Sequence, residues 1–206
     1  MKRCTIIGGA DIADYQRISE YIRNDDYVIY CDSGLKHRSG LKSEPSLIVG
    51  DFDSYENPCL QTETIVLPTE KDDTDTLFAV KEGVRRGFED FLLLGVTGGR
   101  LDHTLGNVYI LLYLDSLGKS ALLVDDLSEM EIVSSLTKEI SCDFSFFSLI
   151  NIMGTARGIT IRNAKYPLND AEISCEYQYG ISNEVLPGKK ALVSVSEGKL
   201  LLIRVF

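Results

Sequence analysis

The chain has 206 residues, 44% of them hydrophobic and 25% charged, and a formal net charge of −10. That is enough chain, of ordinary globular composition, for one or two domains with real cores. So acidic a chain lacks the basic face that nucleic acids and anionic membrane surfaces require, and a small anionic substrate fits only with a metal ion or a local arginine cluster to offset repulsion.

From the N-terminus to about Asp126, strand and helix signals alternate. "CTIIGG" is a short apolar run that stops at glycines, a strand. "IADYQRISEYIRN" places Ile12, Tyr15, Ile18 and Ile22 at helical spacing. "YVIYCD", "SLIVGDFDS" and "ETIVLP" read as three further strands. "DDTDTLFAVKEGVRRG" predicts a helix with Leu77, Val80 and Val84 on its apolar side and a glycine stop. "FEDFLLLGV" is a strand, "GGRLDHTLGNVYILLYL" opens a helix that buries Leu105, Val108, Leu111 and Leu112, and "SALLVDD" is a strand. This alternation predicts a Rossmann-like α/β domain over residues 1–126, with a mainly parallel sheet.

The texture then changes. "MEIVSSL", "EISCDFSFFSLINIM", "RGITIRNAKYPL", "DAEISCEYQYGISNEV", "KKALVSVSEG" and "KLLLIRVF" are short strand-like runs punctuated by Gly, Asn, Asp and Pro. They predict a small C-terminal β-sandwich over residues 127–206, with "VSEGKLLLI" a hairpin turning at Glu197-Gly198. Five cysteines (Cys4, Cys31, Cys59, Cys142 and Cys175) form no CxxC pair and are odd in number. They read as buried free thiols in a reducing cytoplasm rather than as a disulfide framework or a zinc site. The N-terminal apolar run is too short for a signal peptide, and no segment has the length of a membrane span.

Carboxylates cluster where strands end or helices begin: Asp32, then Asp51 with Asp53, then Asp72, Asp73 and Asp75, then Asp102. Ligands of open parallel sheets bind beyond the carboxyl ends of the strands, so these groups should meet at one edge. In an extended segment Asp51 and Asp53 project to the same side. Their mutual repulsion is relieved by a divalent cation such as Mg²⁺, or they form an Asx-type turn instead. Asp72 and Asp75 are spaced to share a helix face, with Thr74 between them, and either cap the helix or hold a ligand. In "GGRLDH", Gly98 and Gly99 suit a phosphate-cradling loop and Arg100 a fork for phosphate oxygens. Asp102 and His103 stand beside them, as helix cap and surface residue or as working groups. GxGxxG and GK[ST] are both missing, so the simple dinucleotide and P-loop readings fail. Several carboxylates, an arginine and glycine loops, without an activated Ser or Cys, are the equipment of Mg²⁺-assisted phosphate chemistry.

"GDFDS" at 50–54, "DDTD" at 72–75 and "GGRLDH" at 98–103, followed by "KYPL" at 165–168 and "GISNE" at 180–184, resemble the thiamine pyrophosphokinase family in order and spacing across most of the chain. The resemblance implies an α/β nucleotide-binding catalytic domain followed by a thiamine-binding and dimerising β-sandwich. It implies a cytoplasmic homodimer with active sites between subunits. The implied reaction is Mg²⁺-dependent transfer of diphosphate from ATP to thiamine, giving thiamine diphosphate and AMP. It assigns the metal to Asp51, Asp53 and Asp75, with Asp72 and Thr74 completing the acidic shell. Arg100 and Asp102 hold the reacting phosphates and the alcohol. Asp32, Gly98, Gly99, His103 and Asn107 contact substrate, and Ser182 and Asn183 face thiamine. Two departures stand out. Ser33 occupies the first glycine of an Asp-Gly-Gly pattern, and the chain has no Trp to stack on thiamine near Leu201–Ile203. Either Tyr166 or a tyrosine of "EYQYG" supplies the stacking, or aliphatic contact replaces it. Other readings of the same residues are a diphosphotransferase for another alcohol, a nucleotide hydrolase, and a non-catalytic sensor of thiamine or nucleotide.

Overall fold

The structure is a computed structural model and describes residues 2–53, 60–70 and 72–206; Ser54 of the GDFDS motif and Cys59 lie outside the described residues. The first compact unit, Met1–Asp126, runs β1 (Cys4–Ile7), α1 (Tyr15–Glu20), β2 (Tyr27–Cys31), a 3₁₀ segment (Asp32–His37), α2 (Arg38–Leu41), β3 (Leu47–Gly50), β4 (Thr64–Val66), α3 (Asp75–Arg85), β5 (Asp90–Leu94), α4 (Leu101–Ser116) and β6 (Ser120–Val124). Every residue of β1 and β3 is buried, as continuous apolar strands in a sheet covered on both faces must be.

These strands pair in parallel in the order β4-β3-β2-β1-β5-β6. The chain builds outward from β1 in one direction through β4, then returns to the other side of β1 for β5 and β6. The order therefore reverses between β1 and β5, where an open sheet leaves a crevice. The two ends can approach there because both carry glycine. A Cβ on Gly8 would lie 2.7 Å from the Gly95 carbonyl oxygen, and one on Gly95 equally close to that of Gly8.

Three local features differ from the sequence reading. The segment 32–41, for which the apolar pattern predicts no helix, forms the 3₁₀ turn and α2. Helix α3 begins at Asp75, capped by Thr74, whose hydroxyl accepts from the Leu77 N–H at 3.2 Å; Asp72 precedes the helix, so the two acids share no helix face. Helix α4 buries Asn107, Val108, Ile110, Leu111 and Leu114. Leu105 is instead half exposed, and with Leu101 and Tyr109 it makes an outward stripe at i, i+4, i+8.

The second compact unit, Leu127–Phe206, contains β7 (Ser128–Val133), β8 (Lys138–Ile140), β9 (Phe146–Ile150), β10 (Thr155–Arg162), β11 (Leu168–Ser174), β12 (Ala191–Ser194) and β13 (Leu200–Val205). β13 pairs antiparallel with β7 and β9, while β11-β10-β12-β8 form a separate antiparallel sheet. Phe147, Leu149, Leu200 and Leu202 from the first group share one core with Ile140, Ile159, Ile161 and Val193 from the second. The run "EISCDFSFFSLINIM" divides into β8 and β9. Ser141 breaks it by donating to the Asp143 carboxylate at 2.6 Å.

The expected hairpin at Glu197-Gly198 does not form. The chain turns there, with Gly198 at φ +88°, but β12 and β13 join different sheets. The turn is anchored instead to β10: the Arg157 N–H donates to the Glu197 carbonyl at 2.8 Å. Cys4 and Cys31 are buried free thiols as expected, whereas Cys142 and Cys175 are free but exposed. Among the described residues, no helix is long and apolar enough to cross a membrane.

Candidate active site

A cleft of about 640 Å³ opens beyond the carboxyl ends of β1, β2, β3 and β5. Each wall is the segment that leaves a strand: Gly8 to Asp11 after β1, Asp32 and Ser33 after β2, Asp51 and Asp53 after β3, and Gly95 to Arg100 after β5. Thr74 and Asp75 at the start of α3, and His103 and Asn107 of α4, close it. A smaller cleft of about 250 Å³ adjoins, sharing Thr74, His103 and Asn107, and is lined further by Leu77, Asp102, Gly106 and Ile110.

Carboxylate oxygens of Asp32, Asp51 and Asp75 lie within 4.8 Å of one another. Asp32 is buried and Asp51 and Asp75 are partly so. Three anionic oxygens this close in a partly desolvated place repel strongly unless a cation joins them, and an all-oxygen donor set suits Mg²⁺. Backbone geometry accounts for the group. Asp32 takes the left-handed conformation, φ +39°, a strained state for a non-glycine residue and one that concentrates at functional sites. Gly50 makes room, since a Cβ there would sit 2.9 Å from Asp32 Cβ.

Asp53 is not in that group. The period-two argument fails because Phe52 has φ +58°, so the segment is not extended and Asp53 turns away to an exposed place on the cleft wall. Its N–H donates to Asp51 Oδ1 at 3.3 Å, an Asx turn. Asp32, which the sequence placed only among substrate contacts, stands in its place. The signal was available: Asp32 directly follows a buried strand that pairs with the strand directly before Asp51.

Asp72 is exposed and lines neither cleft; its neighbour Asp73 pairs with Lys81 at 2.6 Å. Arg100 projects into the main cleft from the residue before α4. It donates to Asp102 at 2.6 Å, and both are exposed. Hydrogen bonding to Arg100 lowers the Asp102 pKa to about 2, and the same pairing raises that of Arg100. Gly98 and Gly99 take positive φ, +95° and +65°, a backbone conformation in which a side chain is strained. The Gly98 N–H is already donated to Thr104 Oγ1 at 3.0 Å, so that glycine shapes the loop rather than cradling an anion. His103 is exposed and its N–H donates to Asp102. Asn107 is buried and donates to the Val96 carbonyl at 2.7 Å, tying α4 to the end of β5.

Ser33, the departure from Asp-Gly-Gly, fits closely: a Cβ on Gly9 would fall 1.9 Å from its Oγ. The Cys31 thiol lines the cleft, but burial pushes its pKa well above the ordinary value; it remains a protonated, inert thiol.

In the second unit, Ser182 is exposed with φ +58°. Asn183 is buried, and its amide is turned inward. Nδ2 donates to the Tyr166 carbonyl at 2.7 Å, and Oδ1 accepts from the N–H of Tyr166 and of Glu184. The "KYPL" and "GISNE" segments are thus one structural junction held by Asn183. Tyr166, Tyr177 and Tyr179 are exposed, the last two with ring centroids 5.5 Å apart, whereas Leu201 and Leu202 are buried.

Residues 18–122, more than half of the chain, match the family model "Thiamin pyrophosphokinase, catalytic domain", and residues 136–200 match "Thiamin pyrophosphokinase, vitamin B1 binding domain". A curated relative, the thiamine pyrophosphokinase of Bacillus subtilis (strain 168), is 28% identical over 99% of each chain. The crystal structure of thiamine pyrophosphokinase from Bacillus subtilis superposes with TM-score 0.88 at 25% identity, covering 99% of both chains. That of thiamin pyrophosphokinase from Geobacillus thermodenitrificans superposes with TM-score 0.84 at 28% identity, covering 99% of this chain and 97% of the other.

Proposed function

The chain belongs to the thiamine pyrophosphokinase family, and from that premise we infer that it transfers diphosphate from ATP to the hydroxyl of thiamine, releasing AMP. The observation that carries the reading is the carboxylate-lined cleft at the reversal of strand order, where Asp32, Asp51 and Asp75 converge. The first unit reads as a Rossmann-like nucleotide-binding catalytic domain, residues 1–126, and the second as a thiamine-binding and dimerising sandwich, residues 127–206.

Asp32, Asp51 and Asp75 would hold Mg²⁺. A bound Mg²⁺ neutralises the phosphate oxygens and the charge that develops on them. The thiamine oxygen forms a bond to the β-phosphorus of ATP as the bond from that phosphorus to the bridging oxygen of AMP breaks. Arg100 offers its fork to the phosphates; its pairing with Asp102 is exposed and readily exchanged for a phosphate. The pairing with Arg100 holds the Asp102 carboxyl ionised before substrate arrives, and an aspartate stays ionised at neutral pH once Arg100 has turned to the phosphates. Asp102 is well suited to accept the hydrogen bond of the attacking hydroxyl and so aim it, and the proton passes on to solvent. The smaller cleft, apolar at Leu77 and Ile110 with Asp102 at its wall, suits a cationic heterocyclic alcohol.

A homodimer is supported by the outward stripe of Leu101, Leu105 and Tyr109 beside this cleft, since exposed apolar stripes mark docking faces. A subunit partner would also let exposed Ser182 and the tyrosines of the sandwich reach thiamine. The exposed free thiols Cys142 and Cys175 support a reducing, cytoplasmic setting.

The test is product analysis of purified protein with ATP, Mg²⁺ and thiamine. Equal amounts of thiamine diphosphate and AMP are expected. ADP with thiamine monophosphate, or inorganic diphosphate with AMP and unchanged thiamine, would overturn the assignment.

A further inference from the structure

One buried titratable side chain touches the cleft wall from behind and has no part in the reaction above. His37, at the end of the 3₁₀ segment, is 1% exposed. Its Nε2 lies 2.8 Å from the Ala10 carbonyl oxygen and its Nδ1 2.7 Å from Tyr15 Oη. A carbonyl only accepts, so Nε2 carries the proton. In the neutral ring Nδ1 is then the acceptor, and the Tyr15 hydroxyl donates to it. The ring of Tyr15 is itself held by α2, where a Cβ on Gly40 would come within 2.5 Å of it.

Ala10 is gripped from both sides: its N–H donates to the Gly95 carbonyl at 2.8 Å, and its C=O receives His37. Those two bonds fix the segment Gly8–Asp11, which walls the cleft at the β1–β5 reversal. The ion pair of Lys36 with Asp11 at 2.8 Å braces the same segment at its exposed edge.

We propose that His37, held by Tyr15, is a positioning residue for nucleotide binding, fixing the Gly8–Asp11 wall of the cleft through the Ala10 carbonyl. The proposal rests on reading this cleft as the ATP site. The charged groups facing the imidazole are Lys36, Asp11 and Asp126, and burial is the largest influence, keeping the ring neutral. His37 acts on how the wall is held before ATP arrives, so its loss shows in nucleotide affinity rather than in the chemical step.

The experiment compares His37→Leu, which fills the space without a donor, with His37→Gln, whose amide nitrogen reaches the position of Nε2. KM and Kd for MgATP, kcat, KM for thiamine and thermal melting are measured for each. His37→Leu should raise the ATP KM and Kd about tenfold, equivalent to about 1.4 kcal/mol, with kcat and the thiamine KM within about threefold of wild type. His37→Gln should restore ATP affinity. An unchanged ATP KM in a folded His37→Leu, or no rescue by Gln, overturns the inference. If His37→Leu does not fold, ¹⁵N spectra of the wild-type imidazole decide: a neutral ring protonated at Nε2 supports the arrangement, and one protonated at Nδ1 overturns it. Wild-type protein that binds no ATP would overturn the reading of the cleft and this inference together. Wild type that turns over normally beside an unaffected variant overturns the inference alone.

Discussion

Gly106→Ala separates what a helix requires from what a cleft requires. Gly106 sits inside α4, and a Cβ placed there meets no atom within 4 Å. Glycine in a helix interior is about 0.8–1 kcal/mol less favourable than alanine, and about 1 kcal/mol moves the Tm of a chain this size by about 2–4 °C. The variant should therefore melt about 2–4 °C higher than wild type. The same residue lines the cleft of about 250 Å³ with Leu77, Asp102 and Ile110, so a methyl added there takes room from an acceptor bound in it. Overpacking a fitted site costs about 1–3 kcal/mol, so the thiamine KM should rise roughly 5- to 150-fold, with the ATP KM unchanged. Differential scanning calorimetry and steady-state kinetics in each substrate read the two effects separately. A lower Tm would refute the helix argument. A higher Tm with an unchanged thiamine KM would refute the assignment of the smaller cleft to the acceptor.

Two further substitutions test the electrostatics. Asp32→Asn should cut turnover at least about 100-fold, because a catalytic metal is worth several kcal/mol, and should raise the Mg²⁺ concentration needed; Asp53→Asn should do less. A larger loss in the Asp53 variant, read from Mg²⁺ titrations of activity, would return the metal to the Asp51–Asp53 pair. Glu82, clamped by Arg85 and Arg86 at 2.6 and 2.7 Å, has its pKa lowered from 4.5 to about 2, chiefly by the hydrogen bond from Arg85. Its folded pKa lies below the unfolded one, so the stability it contributes is complete above about pH 4.5 and is lost as pH falls through about 2. The stability gap between wild type and Glu82→Gln in urea melts should therefore shrink across that window, and a constant gap would refute the clamp.

Much of the first unit was legible in the sequence because a parallel sheet buried on both faces writes itself as continuous apolar runs. The segments leaving those runs must then gather at one edge, which brought Asp32, Asp51, Asp75 and Arg100 to one cleft. The "GGRLDH" loop was readable for the same reason, since glycine turns are local chemistry, and so was a helix start near Asp75, although the cap falls to Thr74 rather than to the aspartates. The family motifs added what periodicity does not encode, namely the reaction.

What the linear pattern could not supply was direction. The period-two rule sends Asp51 and Asp53 the same way, but a single positive φ at Phe52 reverses one of them and gives Asp32 its place. Apolar spacing marked Leu105 for burial beside Val108 and Leu111, but which stripe of an apolar helix faces inward is set by its packing partners, and those kept Val108 and Leu111 while taking Ile110 and Leu114 in place of Leu105. A turn at Gly198 was visible, yet whether two strands pair across it depends on which sheet each can enter. Residue type, spacing and local turn chemistry are properties of the chain and were determined by its sequence. Facing, partner choice and the grip of His37 on Ala10 depend on contacts between residues far apart along the chain, and only the tertiary structure decided them.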